Sequence, residues 1–278
     1  MIFTHRTRTH AGIFGTTEPL RTVLFHAAVF FFLMSGASAL ARNGETRTFD
    51  ISGEPSLTLE NVAGDILVER GSVDQIVVNY VIQNEDIKVE FDQKGDRVTV
   101  RTKYPRWGTT EGGVDFRITF PANGKLRVKS VSGDIEVQGV GGYLRLQSVS
   151  GRVEVSDAFG DLQLNSVSGD VIMSGIVDST VDAASVSGDV DYRNGDLSGD
   201  DYNFSSTSGN VRIRHNASAS YHLSGSTVSG SITNRVSDSL RIKEHEFTSM
   251  QSIDGSVNGN GTSIDVSTVS GNIYLEKD

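Results

Sequence analysis

The fragment Ser/Thr-Val-Ser-Gly-x-Ile/Val recurs through the second half of the chain, and repetition at this interval leaves few folds open. It stands at Ser130–Ile135, Ser148–Val153, Ser166–Val171, Ser185–Val190, Ser206–Val211, Thr227–Ile232 and Thr268–Ile273, with weaker copies at Asn61–Ile66 and Ser252–Val257. From Gly133 onward the motif glycines are spaced by 18, 18, 19, 21, 21, 25 and 16 residues. A period of about 20 with drift predicts stacked rungs whose loops vary while their strands do not.

Alignment on glycine shows which side chains recur. Two residues after it stand Ile66, Ile135, Val153, Val171, Val190, Val211, Ile232, Val257 and Ile273, all β-branched and aliphatic. Four after it come residues such as Val68, Val137, Val155, Met173 and Ile213, and two before it mostly valine: Val62, Val131, Val149, Val167, Val186, Val228 and Val269. This period-2 alternation predicts that all three columns face inward. A further apolar pair lies seven and five before glycine, as in Leu144/Leu146, Leu162/Leu164 and Tyr202/Phe204. Its parity is opposite, so the chain must turn a corner near the Ser or Thr three before glycine. Each rung then has two short strands, a corner and a variable turn such as Gly139–Gly142. The expected fold is all-β, a single-stranded β-solenoid or β-helix-like stack with rungs of about 18–21 residues. Thirty glycines against four prolines suit such a chain.

The residue after glycine runs Asp65, Asp134, Arg152, Asp170, Asp189, Asn210, Ser231, Ser256, Asn272. At a rung spacing of about 4.8 Å like charges would repel, and Arg152 is placed to relieve Asp134 and Asp170. Turn chemistry beside glycine accounts for the column; a carboxylate row holding calcium is the alternative.

Residues 46–120 read as an atypical β-rich N-terminal cap portion, with strands at Ser56–Glu60, Asp65–Glu69, Gln75–Ile82, Ile87–Asp92, Arg97–Lys103 and Val114–Phe120, ahead of the regular repeats in 121–278. One loop stands out. Tyr104, Arg106 and Trp107 lie within it, and these residue types are frequent binding hot spots, so they are the candidate ligand contacts. The structural alternative is that Trp107 folds down as a lid over the first rung.

The first 41 residues differ from the rest. Arg6, Arg8 and Arg21 precede an apolar run from Val23 to Met34, followed by small residues ending at Ala39 and Ala41. This predicts a secretory signal peptide over residues 1–41 and a mature domain over 42–278, without a membrane span in the mature chain. Removing three basic and one acidic residue takes the totals of 25 and 35 to 22 and 34, a net charge of −12. An acidic protein of this kind lacks the basic footprint of a nucleic-acid binder. There is no cysteine, which excludes thiol catalysis, cysteine-ligated metal and a lipidated N-terminal cysteine, and leaves stability to packing and backbone pairing.

No catalytic constellation, cofactor fingerprint or metal-ligand set emerges. The mature histidines are His215, His222 and His245; the first two flank an expected turn, the nearest approach to a zinc pair. Serines abound only as part of the repeat, without a nucleophile elbow. Asp170 with Asp189 is the nearest approach to paired carboxylates.

The run Phe116-Arg-Ile-Thr-Phe-Pro121, then Leu126-Arg-Val-Lys-Ser-Val-Ser-Gly-Asp-Ile135 and repeated Ser-Val-Ser-Gly-Asp-Val, resembles the bacterial putative-adhesin family. Asn61–Val68 followed by Gln75–Val81 is similar to that family's opening segment, so the resemblance covers about residues 46–278. It implies an exported β-solenoid domain with a contact or envelope-associated role, some relatives being tied to envelope-stress signalling, and it carries over no catalytic residues. The expectation is a non-enzymatic, adhesin-like envelope or cell-surface protein, in the periplasm, on the outer surface or outside the cell, that binds a glycan or protein through the solenoid face. Outward residues such as Glu136, Glu154, Asp191 and Arg212 are further candidates for contact. A periplasmic scaffold or sensor is the alternative, and a polysaccharide-modifying enzyme a third. Exposed aromatics would favour a glycan, an apolar surface a protein, and a charged cleft an enzyme. The last rung, Val269–Leu275, is expected at an open end that the tail Glu276-Lys277-Asp278 protects from end-to-end pairing.

Overall fold

The computed structural model describes residues 44–105, 111–246, 248–259 and 261–277, all within the unit Ala41–Asp278. The proposed leader lies outside the described residues. Seven strands precede the regular repeats: β1 (Glu45–Asp50), β2 (Ser56–Ala63), β3 (Ile66–Arg70), β4 (Gln75–Ile82), β5 (Lys88–Lys94), β6 (Arg97–Lys103) and β7 (Val114–Phe120). Ten follow in pairs: β8 (Asn123–Ser132) and β9 (Ile135–Gln138), β10 (Gly141–Ser148) and β11 (Val153–Ser156), β12 (Phe159–Ser166) and β13 (Val171–Ser174), β14 (Val177–Ser185) and β15 (Val190–Gly195), β16 (Asp201–Ser206) and β17 (Val211–His215). The last six are β18 (Tyr221–Thr227), β19 (Ile232–Asn234), β20 (Arg241–Glu244), β21 (Gln251–Val257), β22 (Thr262–Thr268) and β23 (Ile273–Lys277).

Each central pair is one rung, and successive rungs pair in parallel, with register shifts at Phe159/Gly160 and Tyr192/Gly195. Leu126, Leu144 and Leu162 stand in register on one side, Ile135, Val153 and Val171 on the other. The result is two sheets, of twelve and eleven strands among the described residues, facing each other across columns of buried Leu, Val and Ile. Each such side chain contributes about 1.5–3 kcal/mol on burial. This is the expected all-β solenoid.

The corner between the two strands has a chemical cause. The serine three before glycine is buried, and from Ser166 to Ser206 its hydroxyl accepts the N–H of its own rung's glycine while donating to the glycine carbonyl of the preceding rung. Ser166 does so with Gly169 and Gly151 (2.9 and 3.0 Å), Ser185 with Gly188 and Gly169 (both 2.9 Å), and Ser206 with Gly209 and Gly188 (both 2.9 Å). A hydroxyl bonded three residues onward bends the chain. Glycine is required there by proximity: a Cβ on Gly169 or Gly188 would meet the carbonyl oxygen of the glycine one rung earlier. The second corner, six after glycine, uses left-handed backbone at Gly139, Asp157, Gly175 and Asn194 (φ of 68°, 52°, 62° and 54°), residue types that tolerate it.

One expected column is reversed. Val131, Val149, Val167, Val186, Val228 and Val269 are 44–51% exposed rather than buried. Inward alternation requires a straight strand, but β10, β12, β14, β16, β18 and β22 end at the buried Ser or Thr, and β8 continues only two residues past Ser130. Valine is the next residue, and the bend leaves it outside. The copy at Ser252–Val257 is no rung either: β21 pairs antiparallel with β18 and β20.

The stack also departs from chain order at both ends. In the twelve-stranded sheet the order is β20-β21-β18-β22-β16-β14-β12-β10-β8-β2-β6-β5, and in the eleven-stranded sheet β1-β4-β7-β3-β9-β11-β13-β15-β17-β23-β19. The final rung, β22 and β23, therefore lies between β16/β17 and β18/β19. It is not at an open end, and the expected role of the charged tail there falls away. The hydroxyl ladder follows the spatial order: Thr268 donates to Gly209 and Thr227 to Gly271 (3.1 and 2.8 Å). At the other end β2/β3 lies between β6/β7 and β8/β9, continuous with the repeats.

Candidate functional site

The outward valines form the most extended apolar feature of the described surface. On successive strands β8, β10, β12, β14, β16, β22 and β18 stand Val131, Val149, Val167, Val186, Thr207, Val269 and Val228, a stripe about 29 Å long at about 4.8 Å per strand. With the residues two positions earlier they line a groove of about 900 Å³. The neighbours Gln147, Asn165, Ala184, Ser205, Ser267 and Ser226 lack formal charge, and Glu60 and Lys129 charge one end of the groove. Contiguous exposed apolar surface of this kind marks interaction sites.

The outward face of the twelve-stranded sheet is electrically divided. Arg97, Arg127, Lys129 and Arg145 project from β6, β8 and β10; Asp161, Asp182, Asp201, Asp265 and Asp254 project from β12, β14, β16, β22 and β21. None of the four cations carries an ion pair among the described residues, and none of the five carboxylates meets a lysine or arginine. Arg127 lies over the Tyr143 ring at 4.9 Å.

Of the loop residues singled out by sequence, Tyr104 is partly buried against the core and donates to the Gly112 carbonyl at 3.5 Å. Burial holds its phenol pKa above the usual value. Arg106 and Trp107 lie outside the described residues. The lid expected of Trp107 therefore lies outside the described residues as well. His215 and His222 do not converge: His215 is buried, its Nε2 2.9 Å from the Tyr221 hydroxyl and its Nδ1 2.7 Å from the Asn216 carbonyl. His222 instead lies 3.6 Å from Asp254 and 3.1 Å from the Ser256 hydroxyl. Burial raises the Tyr221 pKa strongly, and that of Tyr192, which packs against Tyr202 and Phe204 inside the stack.

The residue after glycine has a structural task. Asp65, Asp134, Asp170 and Asp189 each accept, through Oδ1, the backbone N–H of the corresponding residue one rung on (3.0, 2.8, 2.9 and 2.7 Å), and Asn210 continues the series to Asn272 (3.0 Å). Arg152 pairs with Asp134 and Glu154, both at 3.5 Å. Among the described residues no three His, Asp or Glu are grouped to hold a metal ion. Asp191 is not a free outward group, since Arg193 and Arg214 cover it, each at 3.0 Å.

These rungs, with their serine–glycine corner, match the family model described as Toastrack DUF4097 over residues 112–276, more than half of the chain. The chain belongs to the toastrack family. Among solved structures it is similar to a "putative adhesin" from Bacteroides fragilis NCTC 9343, at 12% identity over 86% of this chain and 98% of that one, with a TM-score of 0.43. A "putative cell adhesion protein" from Clostridium sporogenes ATCC 15579 aligns at 10% identity over 85% and 100%, with a TM-score of 0.38. A "putative lipid binding protein" from Parabacteroides distasonis ATCC 8503 aligns at 14% identity over 84% and 96%, with a TM-score of 0.43. No curated protein matches the chain.

Proposed function

We propose that this toastrack protein is a non-enzymatic, exported contact protein of the cell envelope or surface, which binds a protein partner through the outward face of its twelve-stranded sheet. The observation that carries this reading is the valine stripe. Seven rungs place an aliphatic side chain or threonine in the same outward position on a backbone ladder that leaves the stripe little freedom to collapse. An apolar groove favours a protein over a glycan, which would be met by exposed aromatic rings. The hydroxyls and carboxylates most abundant in the repeat are engaged by the fold itself, which supports contact rather than chemistry.

The test applies the protein to immobilised polysaccharides and to envelope extracts, beside a Val167→Asp/Val186→Asp variant. Saturable binding of an intact partner that the variant loses, with its melting unchanged, is the expected result. Shortened glycan would overturn the non-enzymatic reading, and binding indifferent to the variant would remove the groove from it.

A further inference from the structure

The divided face of the twelve-stranded sheet is complementary to itself on either side of its centre, where β12 and β14 both carry acid (Asp161 and Asp182). We infer that its partner is a second copy of this chain, packed face to face with the stack direction reversed. The inference rests on the reading of this face as a protein-contact surface and names the partner.

A twofold axis parallel to the strands, lying between β12 and β14, reverses the strand order while keeping every residue at its own height along the strand. It sets β8 opposite β22, β10 opposite β16, and β6 opposite β21. Arg127 and Asp265, both six before their rung's glycine, then face each other across the interface, and symmetry makes the pair twice. Arg145 meets the strand that carries Asp201, and Arg97 the one that carries Asp254. At the outermost strands β5 lies opposite β20, so Asp92 and Glu90, which also pair with Lys94 and Lys103 of their own chain (3.3 and 2.9 Å), face Arg241 and Lys243 at matching heights. A parallel arrangement would instead place cation on cation, which costs affinity.

The same rotation brings the valine stripe onto itself, Val167 against Val186, Val131 against Val269 and Val62 against Val228. The apolar part of the face is thus covered by an apolar partner. An isologous contact of this type is the commonest form of homodimer. Ten strands from β6 to β21 at about 4.8 Å each, over about 20 Å of strand, offer about 900 Å² per copy. A standard interface needs about 800 Å² per partner.

Sedimentation velocity on the protein, at low and high salt, tests the pairing. The expected result is a dimer that weakens with salt. Arg127→Asp alone and Asp265→Arg alone each raise the dissociation constant by at least about tenfold, and the double variant Arg127→Asp/Asp265→Arg returns it to within about threefold of the parent. Both side chains are exposed or half-buried, so the fold is unaffected. A protein monomeric at about 100 µM, a dimer indifferent to either single swap, or a double variant that fails to recover overturns the inference. The envelope-binding assay separates the two readings. A monomer whose Val167→Asp/Val186→Asp variant still loses an intact partner sinks only the self-pairing; a monomer with nothing to lose sinks both.

Discussion

The middle of the stack and its two ends solve the same problem differently. From β8 to β17 every rung is a copy of its neighbour, paired in parallel and fixed by the serine–glycine corner. Such a run has no natural stop, because each rung leaves an edge as good as the one it covers. At both ends the chain abandons parallel stacking for antiparallel excursions, β4 with β1 and β7 on one side, β21 with β18 and β20 on the other. A terminal rung lies inside each excursion. Three of the four outermost strands are the exposed, charged β1, β5 and β20, and the fourth, β19, is only three residues long; charge and shortness at an edge both discourage further pairing. Repetition supplies rigidity, and its interruption supplies closure.

The largest effect should come from removing the rung that ties the C-terminal end together. Deletion of residues 262–278 leaves β16, β17 and β18 each with one open edge and β19 without a partner, and is expected to abolish cooperative unfolding and cause aggregation. Deletion of residues 44–50 removes only β1 and should cost on the order of 1 kcal/mol, about 2–4 °C in Tm. Comparable losses in the two scanning-calorimetry traces would contradict the special place given to the inserted rung.

A smaller effect separates two glycines. Gly188→Ala pushes a methyl group into the Gly169 carbonyl inside the stack and should cost about 3 kcal/mol. Gly95→Ala, in the exposed β5–β6 turn at φ 60° with nothing within 4 Å, should cost about 1 kcal/mol from backbone strain. Urea denaturation of both variants measures the difference. If the two cost the same, close approach is not what selects glycine at the corner.

The smallest contrast lies within one column. Ser185→Ala strands the Gly188 N–H and the Gly169 carbonyl and should cost about 1–3 kcal/mol. Ser130, whose hydroxyl is buried without a partner, should tolerate alanine with little change. Equal losses in denaturation midpoint would show that the hydroxyl ladder is not the source of stability.

The repeat made the solenoid legible because the columns two and four after glycine, and five and seven before it, are apolar in nearly every copy. The strands Gln75–Ile82, Arg97–Lys103 and Val114–Phe120 were likewise readable to the residue. The valine two before glycine was not: it has the composition and parity of a core position, and only the bend of the chain after the preceding residue, a three-dimensional fact, turns it outward, at Val131 as well, where the Ser130 hydroxyl is unpartnered. Stack order at the ends was hidden for a related reason. Every rung offers the same ladder to any other, so the motif cannot say which rung β22 and β23 will join. The long interval between Gly230 and Gly255, with the imperfect copy that follows, was the one trace of the excursion. The contact face escaped because its charges fall in columns only once β22 is placed beside β16.

A chain whose last rung, β22/β23, lies one rung inside its tip is constrained in how it can lengthen. A repeat added after β23 would meet rungs already paired on both edges, with no vacant ladder to receive it. New rungs enter most simply by duplication within the central run, between Gly133 and Gly209, where neighbours are interchangeable. The tips then move apart without alteration, so the reach of the molecule can be reset in evolution by whole rungs while the parts that terminate it stay as they are.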